Sequence, residues 1–276
     1  MADGVDFEVV LRNAVQVPLV RIDREPFLRA ALEKHFPKKV VEQAITESPA
    51  AAGITADQLN SIAYDSINYE TTKVTALSFA AGLPGGIAMA GTIPADLTQQ
   101  MAHMLRIMQK LAYLYGWPSL MDEENSTIDD GMVNNLIIFS GIMFGVEGAS
   151  QAIHRVAAQV ALHVAKKLPQ KALTKGIVYP VVKKIALTLG MHMTKQTFAK
   201  SVSKVIPIIG GVVSGGLTFA TYRPMACKLK DHLAGLPTAS VEFYKQQRKT
   251  AAEPEAENEY EDIEVSIVEE DLADEK

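Results

Sequence analysis

Residues 94–118 read PADLTQQMAHMLRIMQKLAYLYGWP. Leu97, Met101, Met104, Leu105, Met108, Leu111 and Ala112 recur at steps of three and four. That period places them on one side of a helix and predicts an α-helix from about Pro94 to Tyr115 with its apolar stripe against a core. Gly116 and Pro118 end it, since glycine suits the left-handed residue after a helix and proline cannot continue one. The opposite side is polar: Asp96, Gln100 and His103 fall at steps of four and three, and Arg106 and Lys110 extend that face.

Working outward, the same pattern recurs. Asp23 stands where an N-cap belongs, with Pro26 in the first turn of a helix FLRAALEKHF. KKVVEQAI after Pro37 reads as a second short helix. Thr55 and Gln58 make a capping box that opens a long helix toward Ala81. Downstream, Asp129 or Asp130 is placed to cap a helix reaching Leu168. Further helices are expected at about 180–189, 195–205, 208–222, 225–234 and 239–249. No alternating strand pattern interrupts the body. The expectation is an all-α fold: a single multi-helix domain over residues 5–250 with Gly-rich helical corners, followed by a disordered acidic C-terminal tail, 251–276.

The corner before the first helix reads AAGLPGGIAMAGTIPAD (80–96). Gly86 and Gly91 have the glycine spacing of a phosphate loop, but Thr92-Ile93 follows where Lys-Ser/Thr is needed. Neither the spacing nor the strand of a dinucleotide loop is present. Three charge-free stretches bear on a membrane span: Val74–Ala95, Gly131–Val146 and Val205–Tyr222. The first is broken by Pro84 and Gly85-Gly86, and the second is short and holds Asn134-Asn135. The third is the best candidate for the roughly 20 apolar residues a span needs. Gly82/Gly86, Gly141/Gly145 and Gly211/Gly215 have the GxxxG spacing that lets helices approach closely, in a membrane or in a soluble core. Tight buried helical corners are the expectation, with shallow membrane contact as the alternative.

Charge is strongly segregated along the 276 residues, whose net value is −5. Residues 1–150 hold 10 Lys+Arg and 18 Asp+Glu, residues 151–250 hold 16 and 2, and residues 251–276 hold 1 and 12. In the basic segment Lys166, Lys167, Lys183, Lys184, Lys200 and Lys204 surround apolar residues. This suits an anionic membrane surface, and it equally suits lysines that merely keep a helical domain soluble. Nucleic acid fits less well, because arginine is scarce and no aromatic-interleaved reading platform is present. The tail is too acidic to fold by itself, although Ile263, Val265 and Ile267 alternate with polar residues as a partner-bound strand would. Cys227 is the one cysteine and reads as a core thiol. The acidic start, MADGVDFE, is unlike a signal peptide, so the expected location is cytoplasmic.

Two motifs carry a family resemblance. GLPGG followed by IPADLTQQMAHMLRIMQKLAYLYGW resembles the signature region of the EcsC protein family. LGMHMTKQTFAKSVSKVIPIIGGVVSGG resembles that family's C-terminal motif, a T-K-x-x-x-A-K helix followed by P-x-x-G-G. The resemblance covers about residues 55–235. It implies a bacterial, mostly helical protein, and the family's name-giving member is encoded beside an ATP-binding-cassette transporter. It implies no reaction. Asp96, His103, Arg106, Gln109 and Lys110 match its polar positions without acquiring a role.

Chemistry is sparsely marked. Asp96 and His103 could serve as acid and base, with Arg106 and Lys110 beside them, or the face could be solvated or internally paired. There is no nucleophile elbow and no HExxH, and no cofactor or metal set is expected. Tyr113, Tyr115 and Trp117 fit either an interfacial aromatic belt or a helix end packed on the core. The leading expectation is a non-catalytic, peripherally membrane-associated helical protein of the EcsC type, accessory to an ABC transport system. The alternatives are an enzyme centred on the Asp96/His103 face and a soluble scaffold that recruits a partner through its tail.

Overall fold

The computed structural model describes residues 7–17, 19–81, 93–121, 130–165, 183–189 and 210–252; at 74–81, 93–100, 130, 210–219 and 252 it describes the backbone course alone. The long helix after Thr55 starts as its capping box dictates. Gln58 Oε1 accepts from the Thr55 backbone N–H at 2.9 Å, and the Gln58 N–H donates back to Thr55 Oγ1 at 3.3 Å. This helix, α4 (Ala56–Ala81), pairs with α5 (Ile93–Leu114). Met101, Met104, Leu105, Met108, Leu111 and Ala112 of the stripe are all buried. Trp117 N–H reaches Ala112 O at 2.9 Å and Gly116 N–H reaches Tyr113 O at 3.3 Å, closing α5 in a Schellman motif around Gly116 at φ +85°.

Three short helices precede this pair: α1 (Phe7–Val15), α2 (Arg24–Leu32) and α3 (Lys38–Thr46). After it come α6 (Asp130–Phe144), α7 (Ala149–Ala165), α8 (183–189) and α9 (Gly210–Ala234). A 3₁₀ turn at Pro237–Ala239 and α10 (Val241–Ala252) complete the described chain. All regular structure among the described residues is helical, with no strand. α1 packs on α5 and α6, and α9 lies along α4 in the most extensive helix contact. One apolar core runs through them, from Phe7 to Ala239. Arg24 secures α2 to α3. Its guanidinium donates to the carbonyls of Ile45 (2.6 Å), Glu47 (3.3 Å) and Ala44 (3.4 Å), which the helix end leaves without partners, and to Trp117 O (3.2 Å).

Several expectations need correction. The single helix to Leu168 is two helices. Gly145 (φ +74°) and Gly148 (φ +83°) take up conformations that most side chains disfavour, and Val146 N–H turns back to Gly141 O at 2.7 Å. The helices expected at 208–222 and 225–234 are one, α9, with Pro224 inside it. Proline lacks the N–H that would reach the Ala220 carbonyl and its ring crowds that carbonyl; Ala220 and Pro224 both lie on the exposed side of α9. Asp23 occupies the N-cap of α2 but makes no side-chain cap, pairing with Arg21 at 2.9 Å. The interfacial-belt reading of Tyr113, Tyr115 and Trp117 falls, since all three are buried, with Trp117 edge-on to Phe139 at 4.9 Å. No helix among the described residues is long and apolar enough to cross a membrane. The helix at 195–205 and nearly all of the acidic tail lie outside the described residues.

Gly141 shows why a small residue is needed on α6. A Cβ there would stand 2.7 Å from Ile185 Cγ2 and 3.0 Å from Ala149 Cβ. Ile185 and Leu189, one turn apart, are the buried side of α8, so Gly141 is where α8 seats. Gly141→Leu is expected to lower folding stability by roughly 1–3 kcal/mol through overpacking. A urea melt of the variant that superimposes on wild type would remove this role.

Candidate functional site

The polar side of α5 meets a buried carboxylate. Glu70 of α4 has a side-chain exposure of 0%. Arg106 and Lys110 stand one turn apart on α5, so both reach it. Arg106 Nε donates to Oε2 and Nη2 to Oε1, each at 3.2 Å, and Lys110 Nζ lies 2.6 Å from Oε1. Such a two-pronged guanidinium contact fixes angle as well as distance. Burial pushes the Glu70 carboxyl up, but the hydrogen bonds from Arg106 and Lys110 outweigh it and hold the group below the ordinary carboxylate range.

The two cations exceed the one carboxylate, and neutral groups take up the surplus. Lys110 Nζ lies 4.7 Å from the Tyr69 ring centre and 5.7 Å from that of Phe27. Arg106 also donates to the Leu19 carbonyl. Gln109 continues the attachment. Its Nε2 donates to Val20 O at 3.0 Å, and its Oε1 accepts from Ile22 N–H at 3.0 Å. Residues 19–22, between α1 and α2, are thus strapped to α5. On the other flank the Tyr222 hydroxyl of α9 donates to the His103 carbonyl at 2.7 Å. Burial pushes the Tyr222 phenol well up, keeping it a neutral donor. Burial also pushes the half-buried His103 imidazole down, against the pull of Glu70.

A second polar seam joins α4 to α9. Asn60, Tyr64 and Asn68 follow one another at four-residue steps on α4. Lys230 Nζ donates to Asn60 Oδ1 at 2.7 Å and sits 4.4 Å from the Tyr64 ring centre, while Arg223 Nε donates to Asn68 Oδ1 at 3.2 Å. Cys227 lies between the two cations in sequence. Burial pushes its thiol up, away from the thiolate that reactivity needs.

Of the residues singled out in sequence, the structure therefore joins Arg106 and Lys110 through Glu70, with His103 and Gln109 alongside. Asp96 lies on α5, but its side chain is outside the described residues, as are Lys166, Lys167, Lys200, Lys204, Gly82 and Gly86. Lys183 and Lys184 are exposed on α8, and Gly211 and Gly215 lie on α9. Gly145 ends α6 with Lys228 Nζ against it, 2.7 Å from where a Cβ would be. Glu70 went unread in the sequence, although it falls where the buried series Leu59, Ala63, Ile67 would place its next apolar residue. An acid at that step is the signal of a charge paired inside a helical core. Among the described residues no group of His, Cys, Asp or Glu could hold a metal ion. A cavity of about 110 Å³ between the α3–α4 loop and α10, lined by Gln43, Tyr244 and Arg248 among others, is small beside the roughly 300–1,000 Å³ of ligand pockets. No protein-family model, curated protein or solved structure matches the chain.

A carboxylate already engaged by three nitrogens is poorly disposed to act as a base; its strength is structural. Glu70→Gln leaves two cations without their counter-charge, and the expected loss is about 3–5 kcal/mol at neutral pH. Because the folded pKa lies below the ordinary 4.5, this contribution is complete above that value and disappears as pH falls through the lower, folded one. Wild-type and Glu70→Gln melts should therefore converge in acid. A gap that stays constant from pH 7 to pH 3 would show that the charge is not what Glu70 contributes.

Proposed function

We propose that the chain is a non-catalytic helical protein that attaches peripherally to anionic membrane, of the EcsC type and accessory to an ABC transport system on the cytoplasmic face. The observation that carries this reading is on α8. Ile185 and Leu189 face inward, whereas Lys183, Lys184 and Leu187, which is 61% exposed, face out. A large aliphatic side chain one turn from two lysines is what an interface of apolar tails and anionic headgroups accommodates. The helix belongs to the segment with sixteen Lys+Arg against two Asp+Glu, each nearby cation adding about 1 kcal/mol at such a surface. The transport role rests on the motif resemblance alone.

Sedimentation with vesicles tests the reading. The full chain is expected to pellet with phosphatidylglycerol vesicles, to ignore phosphatidylcholine, and to be released near 1 M salt, where screening shortens to about 3 Å. Deleting residues 253–276, which hold 12 Asp+Glu and one Lys, should strengthen low-salt binding by removing an internal competitor. Failure to pellet with anionic vesicles, or retention that only detergent reverses, would overturn peripheral attachment.

A further inference from the structure

Resting on the membrane reading, we infer that Leu19 and Tyr69 form a second lipid-contact point, a rigid apolar tip set beside the Arg106–Lys110 pair and inserted among anionic headgroups. Leu19 is 83% exposed and Tyr69 59% exposed. An exposed leucine alone carries no meaning, but Leu19 differs in its backbone. At φ +65° it is the one non-glycine residue with positive φ among those described, a conformation that opposes a branched side chain. That conformation is held from below, because Arg106 binds its carbonyl while Gln109 binds Val20 O and Ile22 N. Strain retained by such anchoring, at the most exposed large apolar side chain described, points to a surface that must be presented in a fixed form.

The occupant follows from charge. Arg106 joins the two apolar groups: one edge reaches the Leu19 carbonyl and the other Glu70, the residue next to Tyr69. Glu70 neutralises one of the two α5 cations, Arg21 and Asp23 neutralise each other, and the exposed Asp65 and Lys73, one turn before and one turn beyond Tyr69, offset each other. The pairing of two cations with one carboxylate therefore leaves one positive charge at the tip. A protruding aliphatic chain, an amphipathic tyrosine and surplus positive charge match the acyl boundary, the carbonyl level and the headgroups of an anionic bilayer.

Tryptophan reporters test this in the full chain, because native Trp117 is fully buried and provides a constant background. Leu19→Trp is expected to shift its emission to the blue on adding phosphatidylglycerol vesicles, and to be quenched by bromine-labelled lipid tails. Leu187→Trp reports separately on α8. If Trp at 187 responds and Trp at 19 does not, the second contact is wrong and peripheral attachment stands; if neither chain pellets with vesicles, both readings fall. Leu19→Gly supplies the control for folding. Glycine accepts positive φ, so its melt should equal or exceed wild type, while affinity for the same vesicles drops about tenfold. Unchanged affinity, or a change in oligomeric state by light scattering instead, would overturn the proposal and make the tip a contact between copies of this chain.

Discussion

A carboxylate in an apolar interior must be paired, and the α4–α5 hairpin is organised by that requirement at Glu70. The two contacts constrain different things. The fork of Arg106 fixes how α5 is rotated about its axis, since a one-residue slip would turn the guanidinium by about 100°. Lys110, one turn along, fixes the axial position. Two cations against one carboxylate leave a positive excess, which would be unfavourable in isolation. The Leu19 carbonyl and the faces of Tyr69 and Phe27 absorb it, so the pair recruits the α1–α2 connection and α2 to the hairpin.

α4 is consequently polar on two sides, and both are occupied. Glu70 faces α5, while Asn60, Tyr64 and Asn68 face Lys230 and Arg223 of α9. Tyr64 lies between those two cations and shares its ring with both. A helix whose polar residues point at neighbouring helices does not read as a simple amphipathic surface helix. Directional contacts of this kind select one register, where apolar packing alone would accept several.

That arrangement explains what could be read in the sequence. The stripe from Met101 to Ala112, the Thr55–Gln58 box and the stop at Gly116 depend on residues a few positions apart, and each was legible. The break expected between 208–222 and 225–234 falls at Pro224, which α9 carries on its exposed side, and that placement is a tertiary fact. Gly145 has the spacing of a packing glycine and also the conformation of a helix stop, and only the backbone tells these apart. Tyr113, Tyr115 and Trp117 have polar atoms that suit an interface, yet the fold closes over them. Thr238 O, for instance, comes within 2.3 Å of where a Cβ on Gly116 would be, leaving no room there for a larger residue. Glu70 was the most consequential omission. A pattern on one helix cannot show which residues of another will meet it, although an acid in an apolar series is a question that a cation pair at i and i+4 answers.

The same pairing connects interior to surface. Glu70 is wholly buried and spends its charge on two cations that reach the boundary, with 16% of Arg106 and 11% of Lys110 exposed. The carboxylate is thus hidden while the excess charge lies near solvent, where a low-dielectric interior screens it less than water would. Arg106 transmits the geometry too, because its remaining donor holds Leu19 in a conformation that leucine does not favour. Loss of Glu70 would free the guanidinium to leave that carbonyl for water, and Leu19 could then relax toward ordinary β geometry. Arg106 and Lys110 therefore supply the positive charge at this boundary, and Glu70 both reduces it to one and orients the guanidinium that holds Leu19.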